Sequence, residues 1–128
     1  IRNAAEALGG RGHISVRVGR RDEDRVEIAV DDEGRGMPCE VLDHLFEPFY
    51  TTKDLGKGTG LGLSTAQEII GNHGGRIRVE SEVGKGTWFA VYLPAVEAAR
   101  AGTAEPERPE LPASAWMPRW VRRPRLRC

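Results

Sequence analysis

Apolar and polar residues alternate along His13-Ile14-Ser15-Val16-Arg17-Val18 and again along Val26-Glu27-Ile28-Ala29-Val30. A period of two sends successive side chains to opposite faces, so the pattern predicts a β-hairpin with one face buried and the polar stretch 20–25 as its turn. Residues 76–82 and 86–93 repeat the pattern around Val83-Gly84-Lys85 and predict a second hairpin. Between the hairpins the period lengthens. Leu63, Ala66, Ile69 and Ile70 fall at helical spacing, which predicts a helix over 61–73 with these four turned inward, stopped by Gly74-Gly75. Residues 1–8 have helix-forming composition and end at Gly9-Gly10. Residues 38–46 form a short helical pattern with Val41, Leu42 and Leu45 on one face. Residues 47–60 mix Pro, Gly, Thr and Lys without a period. A loop of that length is expected to carry function.

Composition changes this picture only at the ends. With 128 residues, 39% hydrophobic and 30% charged, the chain suits one soluble domain, and no apolar run approaches the roughly 18 residues of a membrane span. The net charge of zero gives no reason to expect nucleic acid. From residue 96 onward the composition shifts to Ala, Pro, Glu and Arg, with five of the eight prolines and a net charge of +3. The expected organisation is therefore a folded domain over 1–94 and a disordered Pro/Arg-rich tail over 95–128. Cys39 and Cys128 form no paired motif, which predicts two reduced thiols in a cytoplasmic protein. A start at Ile1 instead of Met predicts a piece of a longer protein.

The chemistry concentrates in two glycine-rich elements. Asp32-Glu33-Gly34-Arg35-Gly36 places a carboxylate at the end of an apolar run, followed by glycines that allow a sharp turn and close approach of a ligand. Gly56-Lys57-Gly58-Thr59-Gly60-Leu61-Gly62-Leu63 runs into the predicted helix and offers backbone N–H groups and the positive end of a helix dipole to an anion. A base-reading acid and a phosphate cradle together indicate a nucleotide site. The order is wrong for a Walker loop, since Gly58 and Gly60 are not followed by Lys. It is also wrong for a dinucleotide fingerprint, since no strand precedes the glycines.

These residues resemble the catalytic, ATP-binding domain of two-component sensor histidine kinases, within the GHKL ATPase superfamily. Asn3-Ala4-Ala5-Glu6-Ala7 is similar to the end of the N box, and Asp32-Glu33-Gly34-Arg35-Gly36-Met37 to the G1 box. Phe46-Glu47-Pro48-Phe49-Tyr50-Thr51-Thr52-Lys53 is similar to the F box, Gly58-Thr59-Gly60-Leu61-Gly62-Leu63-Ser64 to the G2 box, and Gly84-Lys85-Gly86-Thr87-Trp88-Phe89 to the closing hairpin. The resemblance covers residues 1–94. It implies an α+β fold: a two-layer sandwich of the Bergerat type, with a mixed sheet of two hairpins packed on helices. It also implies ATP and Mg²⁺ as cofactors. Asp32 would accept a hydrogen bond from the adenine amine, with Thr87 supporting it through water, and Gly34, Gly36 and Met37 would shape the base end. Gly58, Thr59, Gly60, Leu61, Gly62 and Leu63 would meet the triphosphate, and Lys53 or Lys57 would neutralise it. Asn3 would ligate Mg²⁺. Phe46 and Phe49 would anchor a lid.

The implied reaction passes the ATP γ-phosphate to a histidine on a dimerisation domain, and through it to a response regulator. None of the residues read here is itself a covalent catalyst. The pattern also departs from the family's. A second N-box Asn would fall before Ile1, some members carry Lys where this chain has Glu6, and the domain's first strand and most of its first helix are expected to be missing. His13, His44 and His73 lack the phosphoacceptor context. Three alternatives stay open: an anti-sigma kinase, an ATP-gated clamp, or a degenerate nucleotide-binding module. The F box argues against the first two.

Overall fold

The structure is a computed structural model and describes residues 1–54 and 58–95. Seven elements follow in order: α1 (Arg2–Ala7), β1 (Ile14–Asp22), β2 (Arg25–Asp32), α2 (Cys39–His44), α3 (Gly62–Asn72), β3 (Arg76–Glu82) and β4 (Gly86–Pro94). The two alternating stretches at each end of the chain form the two expected hairpins. They join through β2 and β4 into one sheet of order β1-β2-β4-β3. The two-layer α+β arrangement is borne out. Every pairing among the described strands is antiparallel, where a mixed sheet was expected.

The first hairpin is longer than its apolar pattern. β1 continues through Arg20 and Arg21 to Asp22, so most of the stretch expected as a turn is strand, and only Glu23 and Asp24 connect the strands. The register shifts between Arg20 and Asp22. The Arg21 guanidinium donates to the Glu27 carboxylate and, at 3.3 Å, to the Tyr92 hydroxyl. Arg21 and Arg76 each lie 5.0 Å from the Tyr92 ring centroid. Stacked guanidinium groups thus replace the apolar residues that would have announced a strand.

Pairing register defines the two faces. Thr87, Phe89, Val91 and Leu93 of β4 stand opposite Asp32, Val30, Ile28 and Val26 of β2, and share their face. The helices lie on this side: Ile70 of α3 and Leu93 both close on Gly75, each 2.8 Å from where a Cβ would stand. The other face carries Ala29, Trp88, Ala90 and Tyr92, all buried, with Trp88 completely so.

Helix α3 departs from expectation in depth. None of its residues is buried and Ile69 is 53% exposed, although Leu63, Ala66 and Ile70 are half-covered. The main contact of α3 with the sheet is through β3, and part of its apolar stripe stays open to solvent. Gly74, at φ +70°, ends the helix as the double glycine predicts. Cys39 is disulfide-bonded, not the reduced thiol expected from sequence; spacing along the chain does not fix which thiols meet in space. Cys128 and the rest of the expected tail from 96 onward lie outside the described residues. Ala95, just after β4, is still tied to the first hairpin, its N–H donating to the Asp24 carbonyl oxygen at 2.7 Å. No described helix is long and apolar enough to cross a membrane.

Candidate nucleotide-binding site

Asp32 ends β2 and pairs with Thr87 near the start of β4, so the carboxylate is held by the two central strands. It is 4% exposed. The Gly34 N–H donates to its Oδ1 at 2.9 Å, and the Thr87 backbone N–H also favours its charged form. Burial raises its pKa above the ordinary aspartate range, and the two N–H groups offset that shift only in part. In its ionised form a carboxylate held this way is a strong acceptor.

The turn after Asp32 is wedged between α1 and the β3–β4 turn. Arg35 donates its N–H to Ala7, and Gly84 donates to Arg35. A Cβ on Gly34 would lie 2.7 Å from both the Ala7 Cβ and the Asp32 Oδ1, and one on Gly36 would lie 2.0 Å from the Glu82 carbonyl oxygen. Gly36 also has φ +68°. These glycines are therefore required by packing, whatever a ligand asks of them.

Sequence reasoning missed Ser81. Its hydroxyl donates to the Gly86 carbonyl at 2.9 Å and accepts the Met37 N–H at 2.8 Å. It also lies 3.0 Å from the Thr87 hydroxyl. With its one proton given to Gly86, Ser81 accepts from Thr87, which leaves the Thr87 lone pairs available on the Asp32 side of the sheet. Counting back from the Val83-Gly84-Lys85 turn pairs Ser81 with Thr87, so the signal was present in the hairpin register.

The glycine-rich segment expected to meet phosphates leads into α3. Gly60, at φ +65°, accepts the Phe49 N–H at 3.0 Å. A Cβ on Gly58 would meet the Thr51 hydroxyl at 2.8 Å. Leu61 precedes α3 with no side chain capping the helix, so its first N–H groups have no intrahelical partner. Thr59, Leu61 and Gly62 are exposed, and Leu63 is half-buried on α3. Phe46 is half-buried, but Phe49 does not anchor anything: it is 75% exposed at φ +68°. The backbone twist that lets Phe49 bond Gly60 turns its ring outward. Lys57 lies outside the described residues.

Lys53 reaches α1. Its ammonium pairs with Glu6 and lies 3.3 Å from the Asn3 Oδ1. Arg2 holds the other Glu6 oxygen at 3.1 Å. The two cations, acting mainly through hydrogen bonds, lower the Glu6 pKa. Asn3 is exposed on α1. A single neutral oxygen is a donor set that fits Mg²⁺, which keeps waters and takes its remaining ligands from phosphates. The three histidines sit elsewhere in local pairs, His13 with Glu33 at 3.0 Å and His44 with Glu47 at 2.8 Å; the His73 Nδ1 donates to the Ile69 carbonyl at 2.7 Å.

Comparison with known proteins gives the same assignment. The sensor kinase CckA of Brucella abortus is 55% identical over 73 residues, covering 57% of this chain and 8% of its own length. Sporulation kinase E of Bacillus subtilis is 49% identical over 94 residues, covering 73% and 12%. The crystal structure of full-length ShkA in complex with AMPPNP superimposes with a TM-score of 0.65 at 30% identity, covering 76% of this chain and 20% of that one. The chain thus spans a small part of the proteins it resembles. Residues 1–97 match the model of the histidine kinase-, DNA gyrase B- and HSP90-like ATPases. The chain belongs to that family.

Proposed function

We propose that this chain is the ATP-binding catalytic module of a cytoplasmic sensor histidine kinase, which places the γ-phosphate for transfer to a histidine on a separate dimerisation domain. The observation that carries the proposal is Asp32: a buried carboxylate, steadied by two backbone N–H groups beside the Thr87 hydroxyl. Its remaining lone pairs can take a donor from a ligand, and the exocyclic amine of adenine supplies one where guanine presents a carbonyl. The related ShkA was crystallised with AMPPNP, an ATP analogue, which supports a nucleotide here.

In this reading Gly34, Gly36 and Met37 wall the base. The N–H groups at the start of α3 and the Gly58–Gly62 backbone face the phosphates, with Lys53 and Lys57 as cations and Asn3 as an oxygen ligand for Mg²⁺. Mg²⁺, when bound, would neutralise phosphate charge. The imidazole nitrogen of the acceptor attacks the γ-phosphorus, a P–N bond forms, and ADP leaves with the bridging oxygen. Such a transfer depends on positioning and charge neutralisation more than on covalent help from this domain.

Because the reaction needs an acceptor that His13, His44 and His73 do not provide, the chain alone should show no more than trace labelling with γ-labelled ATP. Adding a separate phosphoacceptor domain of a related kinase should give acid-labile, base-stable phosphate on that domain. Label on one of the three histidines of this chain would overturn the proposed division, and ATP binding without transfer would favour a degenerate module.

Acid should affect binding and folding oppositely through Asp32. Protonated, Asp32 no longer offers the adenine amine a carboxylate. ATP affinity should therefore fall as pH drops through its raised pKa, earlier than for an ordinary aspartate. A folded-state pKa above the unfolded value means the folded chain favours the proton, so this group's contribution to stability is largest in acid and is lost as pH rises through the folded pKa. Calorimetric titration from neutral pH downward checks the first effect and thermal melts the second. An affinity flat across that range would remove Asp32 from the base site.

A further inference from the structure

We infer that Glu6 is a positioning residue, which holds the Lys53 ammonium beside Asn3 ready for a phosphate. The inference rests on the nucleotide reading above. Lys53 belongs to the segment preceding α3, fifty positions along the chain from Asn3, yet its ammonium is 3.3 Å from the Asn3 Oδ1. Glu6 brings it there, and Arg2 fixes Glu6: the two carboxylate oxygens are divided, one to each cation.

Hydrogen-bond capacity decides whether this arrangement serves a ligand or blocks one. An ammonium has three N–H donors. Glu6 and Asn3 take two, and the third is left for an incoming phosphate oxygen. The Asn3 carbonyl oxygen has two lone pairs, so it can accept from Lys53 and still offer one to a cation. The pair therefore need not break when the triphosphate arrives. A lysine otherwise loses rotamer freedom on being fixed, and Glu6 meets that cost before binding.

A simpler view makes Glu6 a rival anion that competes with phosphate for Lys53. The two views predict opposite signs. The test uses the 128-residue chain as wild type, Glu6→Gln, Lys53→Met and the double variant, titrated in Mg²⁺ with ATP and with adenosine, which carries the base without phosphates. Glu6 and Lys53 are both partly exposed, so the variants should fold, and melts will verify this.

Glu6→Gln should weaken ATP about fivefold and Lys53→Met about tenfold, and the double variant should be no weaker than Lys53→Met alone. Adenosine affinity should be the same in all four, which a general loss of structure would not allow. Glu6→Asp should recover part of the lost ATP affinity. Unchanged or tighter ATP binding in Glu6→Gln would overturn the inference, as would losses that simply add in the double variant. Failure of the wild type to bind either ligand is a separate result, and it would overturn the nucleotide reading with the inference.

Discussion

Replacing Asp32 with asparagine should weaken ATP binding at least tenfold and leave the sheet folded. The asparagine oxygen can still accept the Gly34 N–H, and the side chain keeps its size, so the β2 terminus has no reason to move. The amide nitrogen then takes the place of the second carboxylate oxygen. It would point a donor at the donor amine of adenine, inside a site where Asp32 is 4% exposed and water cannot easily intervene. A buried mismatch of this kind costs about 1–3 kcal/mol, and more where a charged acceptor is lost, so affinity should fall at least tenfold to a hundredfold. Calorimetry with ATP, paired with a thermal melt, separates binding from folding. An affinity equal to that of the wild type would show that the adenine amine is read by some other group.

Gly86→Ala should have the largest effect on stability. Gly86 has φ +117°, a conformation that L side chains rarely adopt, and a Cβ there would fall 1.9 Å from the Asp32 carbonyl oxygen and 2.9 Å from its carbon. The obstacle is backbone, so no rotamer change relieves it; β2 and β4 must separate where Asp32 sits. Left-handed strain alone is worth about 1–3 kcal/mol. With the clash added, the loss should reach about 4 kcal/mol or more and lower Tm by on the order of 20 °C. Gly84→Ala makes the comparison informative, because Gly84 has φ +78° but nothing within 4 Å of its would-be Cβ. It should show only the conformational part, about 1 kcal/mol. Equal melting temperatures for the two variants would mean that the close approach of Gly86 to β2 carries no weight.

What was legible in the sequence follows the physics of each segment. The two hairpins were legible because alternation fixes the face each residue takes, whereas the β2–β4 pairing that sets Asp32 opposite Thr87 joins distant segments and left no local pattern. The extension of β1 was hidden because Arg20, Arg21 and Asp22 look like a turn, and they become strand only through contacts with Glu27 and Tyr92 across the sheet. Helical spacing located α3 but could not say how much of its stripe would be covered, and Ile69 shows the difference. The resemblance implied that Phe49 is an anchor; its positive φ accompanies a bond to Gly60 that no local propensity announces. Lys53 and Glu6 meet only in three dimensions, and a charged residue in a loop gives no hint of which helix it will reach.

The placement of Asp32 and Thr87 on adjoining central strands has a consequence for how such a module can change over generations. Nucleobase choice, on the reading proposed here, is tied to the cooperative integrity of the whole sheet, since the two residues cannot shift without unzipping β2 from β4. Grip on the phosphates, on the same reading, rests instead on an aperiodic connection that reaches α1 through Lys53. Drift in that connection can retune affinity and turnover cheaply. A switch to a different base would require rebuilding the strands themselves, and most sequences that attempt it would fail to fold before they bound anything new.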